Sequence, residues 1–435
     1  MKVAVATLGC KVNQYESAGI MDALRARGFS LVPFSDPADF YIINTCTVTG
    51  KTDCQSRQLI RRATRNNPGA AVIVTGCYAQ TAPEDVARIP GVTLVAGTSE
   101  KENIPNLLEK TSPEDQRILV GDIFQVKKIS PLQAKTFPGH TRGFLKIQDG
   151  CNAFCSYCIV PYARGQSRSL PEEEIMRRLK TLAAAGYREI VLTGIHLGAY
   201  GQDLTPPASL LRVLKNSGKN EAVERLRLSS LEPAEIHDDL LAFMREAKHL
   251  CHHLHIPLQS GDNRILSLMK RDYDEGFFRG LLEKIVRAVP DIAIGIDVMV
   301  GFPGEGDKEF FNTIRLIEEL PIAYLHVFPY SERPGTAAAN LPGKIGDQEK
   351  RKRGEMLRNL GKEKKELFAE RFKGKELSVL IEGRKDRKTG FLQGFSGNYI
   401  TVAVADATAE HINHIVSVVP EHYQDGKLFG RIVHD

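Results

Sequence analysis

The chain contains 435 residues, of which 42% are hydrophobic and 26% charged, and its formal net charge at pH 7 is +5. This length exceeds one ordinary core, so two or three domains are expected, and the composition is that of a soluble globular protein without low-complexity tracts. The modest net charge confines any nucleic-acid-binding surface to part of the molecule.

The sequence contains no segment that predicts membrane contact or export. The N-terminal stretch MKVAVATLGCKVNQ lacks the apolar run of a signal peptide, and no apolar run of 18 residues exists that could span a membrane. We therefore expect a cytoplasmic protein with no membrane partner. Thiols stay reduced in that compartment, so the eight cysteines are expected to be metal ligands or core residues rather than disulfides.

The first hundred residues alternate short apolar runs with segments of helical periodicity. The runs are β-branched and apolar on both faces, as in buried parallel strands. They are VAVATLG (3–9), FYIINT (40–45), AVIVTG (71–76) and VTLVAG (92–97). This βαβ series predicts a doubly wound α/β domain over residues 1–110.

A cysteine follows three of these strands directly: Cys10, Cys46 and Cys77. In a parallel sheet the carboxyl ends of the strands share one edge, where ligands bind. A single cysteine there would be an ordinary small core residue, but three at equivalent positions favour a shared metal centre over coincidence.

Residues 101–140 read as a linker with a short hairpin formed by RILVGDI (117–123) and FQVKKIS (124–130). A second βα series then predicts an open, partial (β/α)6 barrel within residues 137–367. Its six predicted strands are RGFLKIQ (142–148), REIVLTG (188–194), RLRLSS (225–230), HHLHIPLQ (252–259), IAIGIDVMVG (292–301) and AYLHVFPYS (323–331).

The stretch GCNAFCSYCIVPYARG (150–165) follows the first barrel strand and contains Cys151, Cys155 and Cys158. Four-iron clusters are held by cysteine thiolates, normally four, so three ligands leave one iron with an open position. Zinc is the competing interpretation, although zinc loops usually add a fourth Cys or His.

The character of the chain changes after about residue 340. Between residues 344 and 388 there are sixteen Lys or Arg against nine Asp or Glu, and this range includes one predicted amphipathic, basic helix. Five short strands separated by Gly and polar turns follow, which predicts a small antiparallel β-barrel over residues 370–435. A solvated helix is the plain interpretation of the charge, but a basic helix beside such a barrel favours RNA as a partner, and DNA is not expected.

The cysteine loop, with Tyr157 before its last cysteine, resembles the radical S-adenosylmethionine superfamily. In that superfamily the open iron chelates S-adenosylmethionine, whose reductive cleavage yields a 5′-deoxyadenosyl radical. Together with the three N-terminal cysteines and a C-terminal piece that resembles a TRAM domain, the whole chain resembles the methylthiotransferases. The resemblance implies two [4Fe–4S] clusters, an auxiliary one on Cys10, Cys46 and Cys77 and a radical one on Cys151, Cys155 and Cys158, and the chemistry requires an electron-donor reductase.

The opening TLGCKVNQYES (7–17) resembles the branch that transfers a methylthio group to carbon 2 of N6-threonylcarbamoyladenosine at position 37, in the anticodon loop of tRNA. The isopentenyladenosine branch tends toward Gln-Met-Asn after the first cysteine and the ribosomal-protein branch toward Pro-Lys-Asn, whereas this chain has Lys11, Val12 and Asn13. Both branches remain alternatives, and a non-catalytic RNA-binding protein with a sensory iron–sulfur cluster is the rival from another class.

Residues near the carboxyl ends of the barrel strands are candidates for binding S-adenosylmethionine. Thr193 and Gly194 stand where the superfamily has a glycine-rich segment, although no Gly-Gly-Glu run occurs here. Asp297 is expected to face the barrel interior, where a ligand contact and a polar core residue with its hydrogen bonds satisfied are equally consistent interpretations. The full candidate set is Thr193, Gly194, Ser229, Ser230, Glu232, Gln259, Ser260 and Asp297. Cys54, Cys251 and the histidines of KHLCHHLHIP (248–257) are interpreted as structural, and Arg164 as a substrate or carboxylate contact.

Overall fold

An all-parallel sheet of six strands, in the order β2-β1-β3-β4-β5-β6, forms the N-terminal part of the computed structural model, which describes residues 1–112, 116–219 and 223–433. The strands are β1 (Lys2–Thr7), β2 (Ser30–Val32), β3 (Phe40–Thr45), β4 (Ala71–Gly76), β5 (Val92–Ala96) and β6 (Arg117–Leu119). The helices are α1 (Lys11–Ala26), α2 (Gly50–Asn66), α3 (Cys77–Thr81), α4 (Pro83–Ala87) and α5 (Ile104–Leu108). Every residue of β3 and β4 is buried because helices cover both faces, which confirms the doubly wound fold.

The predicted hairpin at 117–130 is wrong. Arg117–Leu119 is instead the sixth strand of the N-terminal sheet, parallel to β5, and a single 3₁₀ turn at Ile123–Gln125 follows it. The backbone groups on the free edge of β5 can pair with any extended segment that reaches them. Local sequence does not reveal that free edge.

Six further parallel strands form the central part as two three-stranded sheets, ordered β11-β10-β7 and β12-β13-β14, that meet at a bridge between Leu226 and Leu250. They are β7 (Gly143–Lys146), β10 (Glu189–Thr193), β11 (Arg225–Leu228), β12 (His253–Gln259), β13 (Ala293–Val300) and β14 (Tyr324–Pro329), with a short antiparallel pair β8 (Gln148–Asp149) and β9 (Arg168–Ser169). The helices are α6 (Val160–Arg164), α7 (Glu172–Ala184), α8 (Leu210–Ser217), α9 (Asp238–Glu246), α10 (Asn263–Leu268), α11 (Glu275–Ala288) and α12 (Asp307–Glu319). The predicted open six-stranded α/β barrel is confirmed.

A 24-residue helix, α13 (Asp347–Glu370), leads to a closed five-stranded barrel in the order β15-β16-β17-β19-β18. Its strands are β15 (Leu377–Lys385), β16 (Leu392–Ser396), β17 (Thr401–Val404), β18 (Ile415–Gln424) and β19 (Lys427–Ile432). The five predicted strands are all present, but β17 and β19 pair in parallel, so the barrel is not wholly antiparallel. Among the helices of the described ranges, none is both long and apolar enough to cross a bilayer.

Buried ion pairs join the N-terminal sheet domain to the central barrel. Glu16 of α1 binds Lys146 at 2.9 Å and Arg164 at 3.0 Å, and it also pairs with Lys101. Arg164 in turn lies 2.9 Å from Asp149, so buried protein carboxylates engage its guanidinium, and its expected contact with a substrate or carboxylate ligand stays a prediction. These pairs fix the cysteine-bearing edge of the first domain against the start of the central barrel.

The C-terminal barrel docks on the neighbouring strands β10 and β11. Arg227 and Arg225 both bind the buried carboxylate of Glu189, at 2.7 Å each, and donate hydrogen bonds to backbone carbonyls of the C-terminal barrel. Burial opposes ionisation, but the two guanidinium groups lower the pKa of Glu189 to about 2. The same carboxylate therefore holds both arginines in the orientation that docks the barrel.

Candidate functional site

The three N-terminal cysteines lie at the carboxyl ends of adjacent strands. Cys10 precedes the first turn of α1, Cys46 follows β3, and Cys77 opens α3 directly after β4. Gly9 has a φ of +96°, and a Cβ there would lie 2.8 Å from Cys46 Cβ and 2.9 Å from its Sγ. A glycine is therefore required for the Cys10 loop to approach Cys46 this closely.

Burial keeps two of these thiols protonated in the absence of a metal. It raises the pKa of Cys46 to about 11, and the neighbouring Cys77 adds to the effect. Burial also raises the pKa of Cys77, which Arg164 partly opposes. A bound metal supplies the positive charge that stabilises buried thiolates, so the donor set fits a metal centre.

Backbone hydrogen bonds tie the start of the loop carrying Cys151, Cys155 and Cys158 to Gly165 and close a turn within it. Cys151 N donates to Gly165 O at 3.0 Å, and Cys158 N donates to Cys155 O at 2.9 Å. Burial raises the pKa of Cys158 to about 12, and the neighbouring thiols add to the effect although a backbone hydrogen bond opposes it. Like the first set, these sulfurs favour a metal that binds thiolates.

Two basic side chains that the sequence analysis missed contact this loop. Arg271 donates to Cys155 Sγ at 3.3 Å and pairs with Glu232. His196 Nδ1 lies 3.5 Å from Cys151 Sγ, while its Nε2 is 2.6 Å from Glu235. Burial lowers the pKa of His196, but these hydrogen bonds outweigh it and raise the pKa to about 10. His196 follows the candidate Thr193 by three residues, and this proximity could have indicated it as a site residue. Nothing in the sequence around Arg271 indicated a role at the site.

The spacing of the cysteine sulfurs bears on whether either triad is arranged for a single zinc ion. Zinc bound tetrahedrally at about 2.3 Å brings its sulfurs within about 4 Å of one another. Within the described residues, neither cysteine triad has all three sulfurs within 4.8 Å of one another. Neither triad is therefore arranged in this structure as a tetrahedral zinc site.

The candidate residues at the ends of β10 and β12 lie close to neighbouring side chains of the protein, and Thr193 and Ser260 are buried. Thr193 is buried at the end of β10, and a Cβ on Gly194 would lie 2.8 Å from Gln148 Oε1, so a larger residue there would force the Gln148 side chain to shift. Gln259 ends β12 with a left-handed φ of +64°. The buried Ser260 Oγ lies 3.4 Å from Thr313 Oγ1.

The remaining candidates follow β11 or lie on β13. Ser229 Oγ is buried without a hydrogen-bond partner among the described residues, and Ser230 Oγ lies 2.8 Å from His255 Nδ1. Glu232 is committed to its ion pair with Arg271. Asp297 lies 3.3 Å from both His255 Nε2 and His326 Nδ1. Burial opposes ionisation of Asp297, but these imidazoles hold its pKa below the ordinary value.

Two cavities meet at Asp297. The smaller, of about 230 Å³, is lined by Cys158, Ile159 and Gln259 as well as Asp297. The larger, of about 650 Å³, is lined by Cys10 and Cys46 of the first cysteine set and also by Asp297. Ser229 and Ser230 line the larger cavity, whereas Thr193, Gly194, Glu232 and Ser260 are absent from the described linings of both. The two cysteine sets thus open onto neighbouring spaces.

All three parts of the molecule contribute to the larger cavity, whose volume is typical of ligand-binding sites. The barrel strand β14 contributes Tyr324, His326 and Phe328, and the C-terminal barrel contributes Tyr399. The alternation of these three β14 residues was a signal for one shared face. Tyr399, with a φ of +65°, had no signal in the sequence.

Cations form a further part of the lining: Lys11, Arg142 and Arg227. Burial lowers the pKa of Lys11, and the two arginines lower it further while Tyr399 opposes them. The cavity therefore combines sulfur ligands, aromatic rings and positive charge, which suits an aromatic substrate that carries an anionic group.

Family models match two parts of the chain. The model described as uncharacterized protein family UPF0004 matches residues 2–97, and that of the radical SAM superfamily matches residues 145–317. Among solved structures, the chain is similar to the radical S-adenosylmethionine methyltransferase TsrM from Kitasatospora setae, with a TM-score of 0.57 and 14% identity over 78% of this chain and 77% of that one. This likeness supports the fold alone.

Curated relatives match nearly the whole chain. The threonylcarbamoyladenosine tRNA methylthiotransferase MtaB of Bacillus subtilis is 40% identical over 100% of this chain and 97% of its own length. The Aquifex aeolicus protein of the same name is 41% identical over 88% of this chain and 93% of its own length. The tRNA-2-methylthio-N(6)-dimethylallyladenosine synthase of Syntrophus aciditrophicus is 31% identical over 91% of this chain and 88% of its own length.

Proposed function

Because the chain belongs to the radical S-adenosylmethionine methylthiotransferase family, we propose that it transfers a methylthio group to carbon 2 of N6-threonylcarbamoyladenosine at position 37 of tRNA. The observation that carries the proposal is the larger cavity, which joins Cys10 and Cys46 to the neighbourhood of Cys158 through Asp297. The higher identity to relatives named for threonylcarbamoyladenosine favours that base over the dimethylallyl one.

In this proposal each cysteine set holds one [4Fe–4S] cluster, the radical cluster on Cys151, Cys155 and Cys158 and the auxiliary one on Cys10, Cys46 and Cys77. When bound, the clusters and S-adenosylmethionine supply hydrogen abstraction, sulfur and the methyl group. Arg271 and His196 position Cys155 and Cys151 and bring positive charge to them. An electron-donor reductase completes the system.

S-adenosylmethionine is proposed to lie in the smaller cavity beside Cys158, with Gln259 and Asp297 as direct contacts. The adenosine of the tRNA would enter the larger cavity, where Ser229, Ser230 and the aromatic residues line the walls. Thr193, Gly194, Glu232 and Ser260 shape the surrounding loops in this arrangement. The burial of Thr193 and Ser260 and the ion pair of Glu232 support that indirect role.

The three parts of the chain divide the work in this proposal: residues 1–110 carry the auxiliary cluster, 137–367 the radical chemistry, and 370–435 a TRAM-like RNA-binding barrel. Exposed basic residues at the end of β15 and in the turn after it support the last assignment, namely Arg384, Lys385 and Arg387. A tRNA substrate and a reductase fit a cytoplasmic enzyme.

The test uses the anaerobically reconstituted enzyme with reductant, S-adenosylmethionine and one tRNA prepared in two forms. One form carries threonylcarbamoyladenosine at position 37 and the other isopentenyladenosine. We expect the methylthio nucleoside from the first form alone, detected by mass spectrometry of digested tRNA. Product from the second form alone would assign the enzyme to the other branch.

A further inference from the structure

Among the described residues that line the larger cavity, Lys11 is a cation without a hydrogen-bond or ion-pair partner. No hydrogen bond or ion pair to its ammonium occurs within the described residues. In contrast, Arg227 pairs with Glu189 at 2.7 Å, and Arg142 donates to Glu382 at 3.2 Å. Of the three cations that line the cavity, Lys11 is therefore the one whose charge remains available.

The backbone adds positive potential at the same corner. Lys11 is the first residue of the 16-residue helix α1, whose N-cap Cys10 makes no side-chain capping bond and whose first turn contains no acidic residue. The N-terminus of such a helix favours a negative charge. Asp297, the carboxylate lining the cavity, is already engaged by His255 and His326.

We propose that the Lys11 ammonium binds the α-carboxylate of the threonylcarbamoyl group and thereby selects this base. The inference rests on the proposed function, because that substituent ends in a free threonine carboxylate. Charge-assisted hydrogen bonds to a carboxylate are among the strong ones in proteins. An isopentenyl substituent offers no acceptor and would leave the ammonium unpaired against an apolar group, which is unfavourable.

The test is a double-mutant cycle between Lys11→Met and the methyl ester of the substrate carboxylate. Its substrate is an anticodon stem-loop carrying threonylcarbamoyladenosine as the acid or the ester. With wild-type enzyme we expect esterification to lower kcat/KM at least tenfold. With Lys11→Met we expect the acid to react at least tenfold more slowly than with wild type, and acid and ester to differ less than threefold. Lys11→Arg should restore part of the discrimination.

The exposed Lys51→Met on α2 is the matched control and should discriminate like wild type. Iron and sulfide content measured for every variant separates substrate binding from cluster loss, since Lys11 adjoins Cys10. If Lys11→Met loses iron, Lys11→Gln replaces it in the cycle.

Equal kcat/KM for acid and ester with wild-type enzyme would overturn the inference without any variant. An equal loss on acid and ester caused by Lys11→Met would also overturn it and assign the lysine to the cluster. In both cases methylthiolation of the acid by wild type leaves the proposed function standing. A wild-type enzyme inactive on the acid would refute the proposed function, and the inference with it.

Discussion

At the scale of single residues, the six cysteines proposed to hold the two clusters form two sets whose removal should have different consequences. Replacing Cys10, Cys46 and Cys77 together by Ala should remove about half of the iron and leave reductive cleavage of S-adenosylmethionine, while abolishing methylthio transfer. Replacing Cys151, Cys155 and Cys158 should also remove about half of the iron but abolish both reactions. Iron analysis and chromatography of 5′-deoxyadenosine provide the measurements.

The exposed Cys54 provides the control for these variants, because Cys54→Ala should keep all the iron and both activities. Retention of full iron by either triple variant would show that its cysteines hold no cluster.

Glu16 is a buried carboxylate surrounded by Lys101, Lys146 and Arg164. Glu16→Gln leaves these cations without their shared partner, so we expect the free energy of unfolding to fall by about 3–5 kcal/mol. Urea unfolding followed by circular dichroism measures the change. The exposed Glu109→Gln should change it by less than about 1 kcal/mol. A similarly small change for Glu16→Gln would contradict the role of the ion-pair cluster.

The residue-level prediction from sequence succeeded in finding where the cysteines lie, because Cys10, Cys46 and Cys77 each follow a strand of strong apolar character and the other set lies in the loop after the first barrel strand. It noted Lys11 in the motif after Cys10 without assigning it a contact, and it could not find Arg271 or Tyr399 as site residues. The places of Arg271 and Tyr399 depend on contacts between segments far apart in the chain, and a lone Arg or Tyr carries no local signal for such contacts.

At the scale of elements, β10 and β11 dock the C-terminal barrel through Glu189. The reduction of the Glu189 pKa from 4.5 to about 2 corresponds to about 3 kcal/mol of stability at pH 7. Because the folded pKa lies below the unfolded one, this contribution is complete above about pH 5 and is lost as the pH falls toward 2. Urea unfolding of wild type and Glu189→Gln should therefore differ more at pH 7 than at pH 3. If the difference in unfolding free energy between wild type and Glu189→Gln grew toward pH 3, the predicted direction of the pH dependence would be wrong.

The exposed basic residues at the end of β15 and in the turn after it allow a test of the RNA-binding role of the C-terminal barrel. Replacing Arg384, Lys385 and Arg387 together by Gln should weaken tRNA binding and reduce the slope of log affinity against log salt by about 2–3. Fluorescence anisotropy at several salt concentrations measures both. The exposed Arg61, Arg62 and Arg65 of α2, replaced by Gln, form a control of equal charge. Equal effects of the two triple variants would show that the turn has no special role.

Element prediction succeeded where a strand is buried on both faces, since β3, β4 and most of the barrel strands are nearly continuous apolar runs. It failed at residues 117–130, where a three-residue edge strand depends on the free edge of β5. The parallel pairing of β17 with β19 was likewise missed, because pairing direction depends on how the barrel closes.

At the scale of the whole molecule, the larger cavity exists because three parts of the chain meet. Arg333 of the central part binds Asp53 at 2.6 Å in the N-terminal domain, and Arg227 joins the C-terminal barrel. Three domains and two cysteine sets were predictable from the sequence. The sequence did not predict that the two cysteine sets face neighbouring cavities. The ion pairs and hydrogen bonds that orient the domains join residues more than a hundred positions apart.

The proposed function is tested most directly by nucleoside mass spectrometry of total tRNA from cells that lack this gene. We predict that the methylthio form of threonylcarbamoyladenosine disappears and its unmodified parent accumulates, with recovery on re-expression of the wild-type chain. Persistence of that nucleoside, with loss of the isopentenyl analogue or with no change in tRNA, would contradict the proposed function.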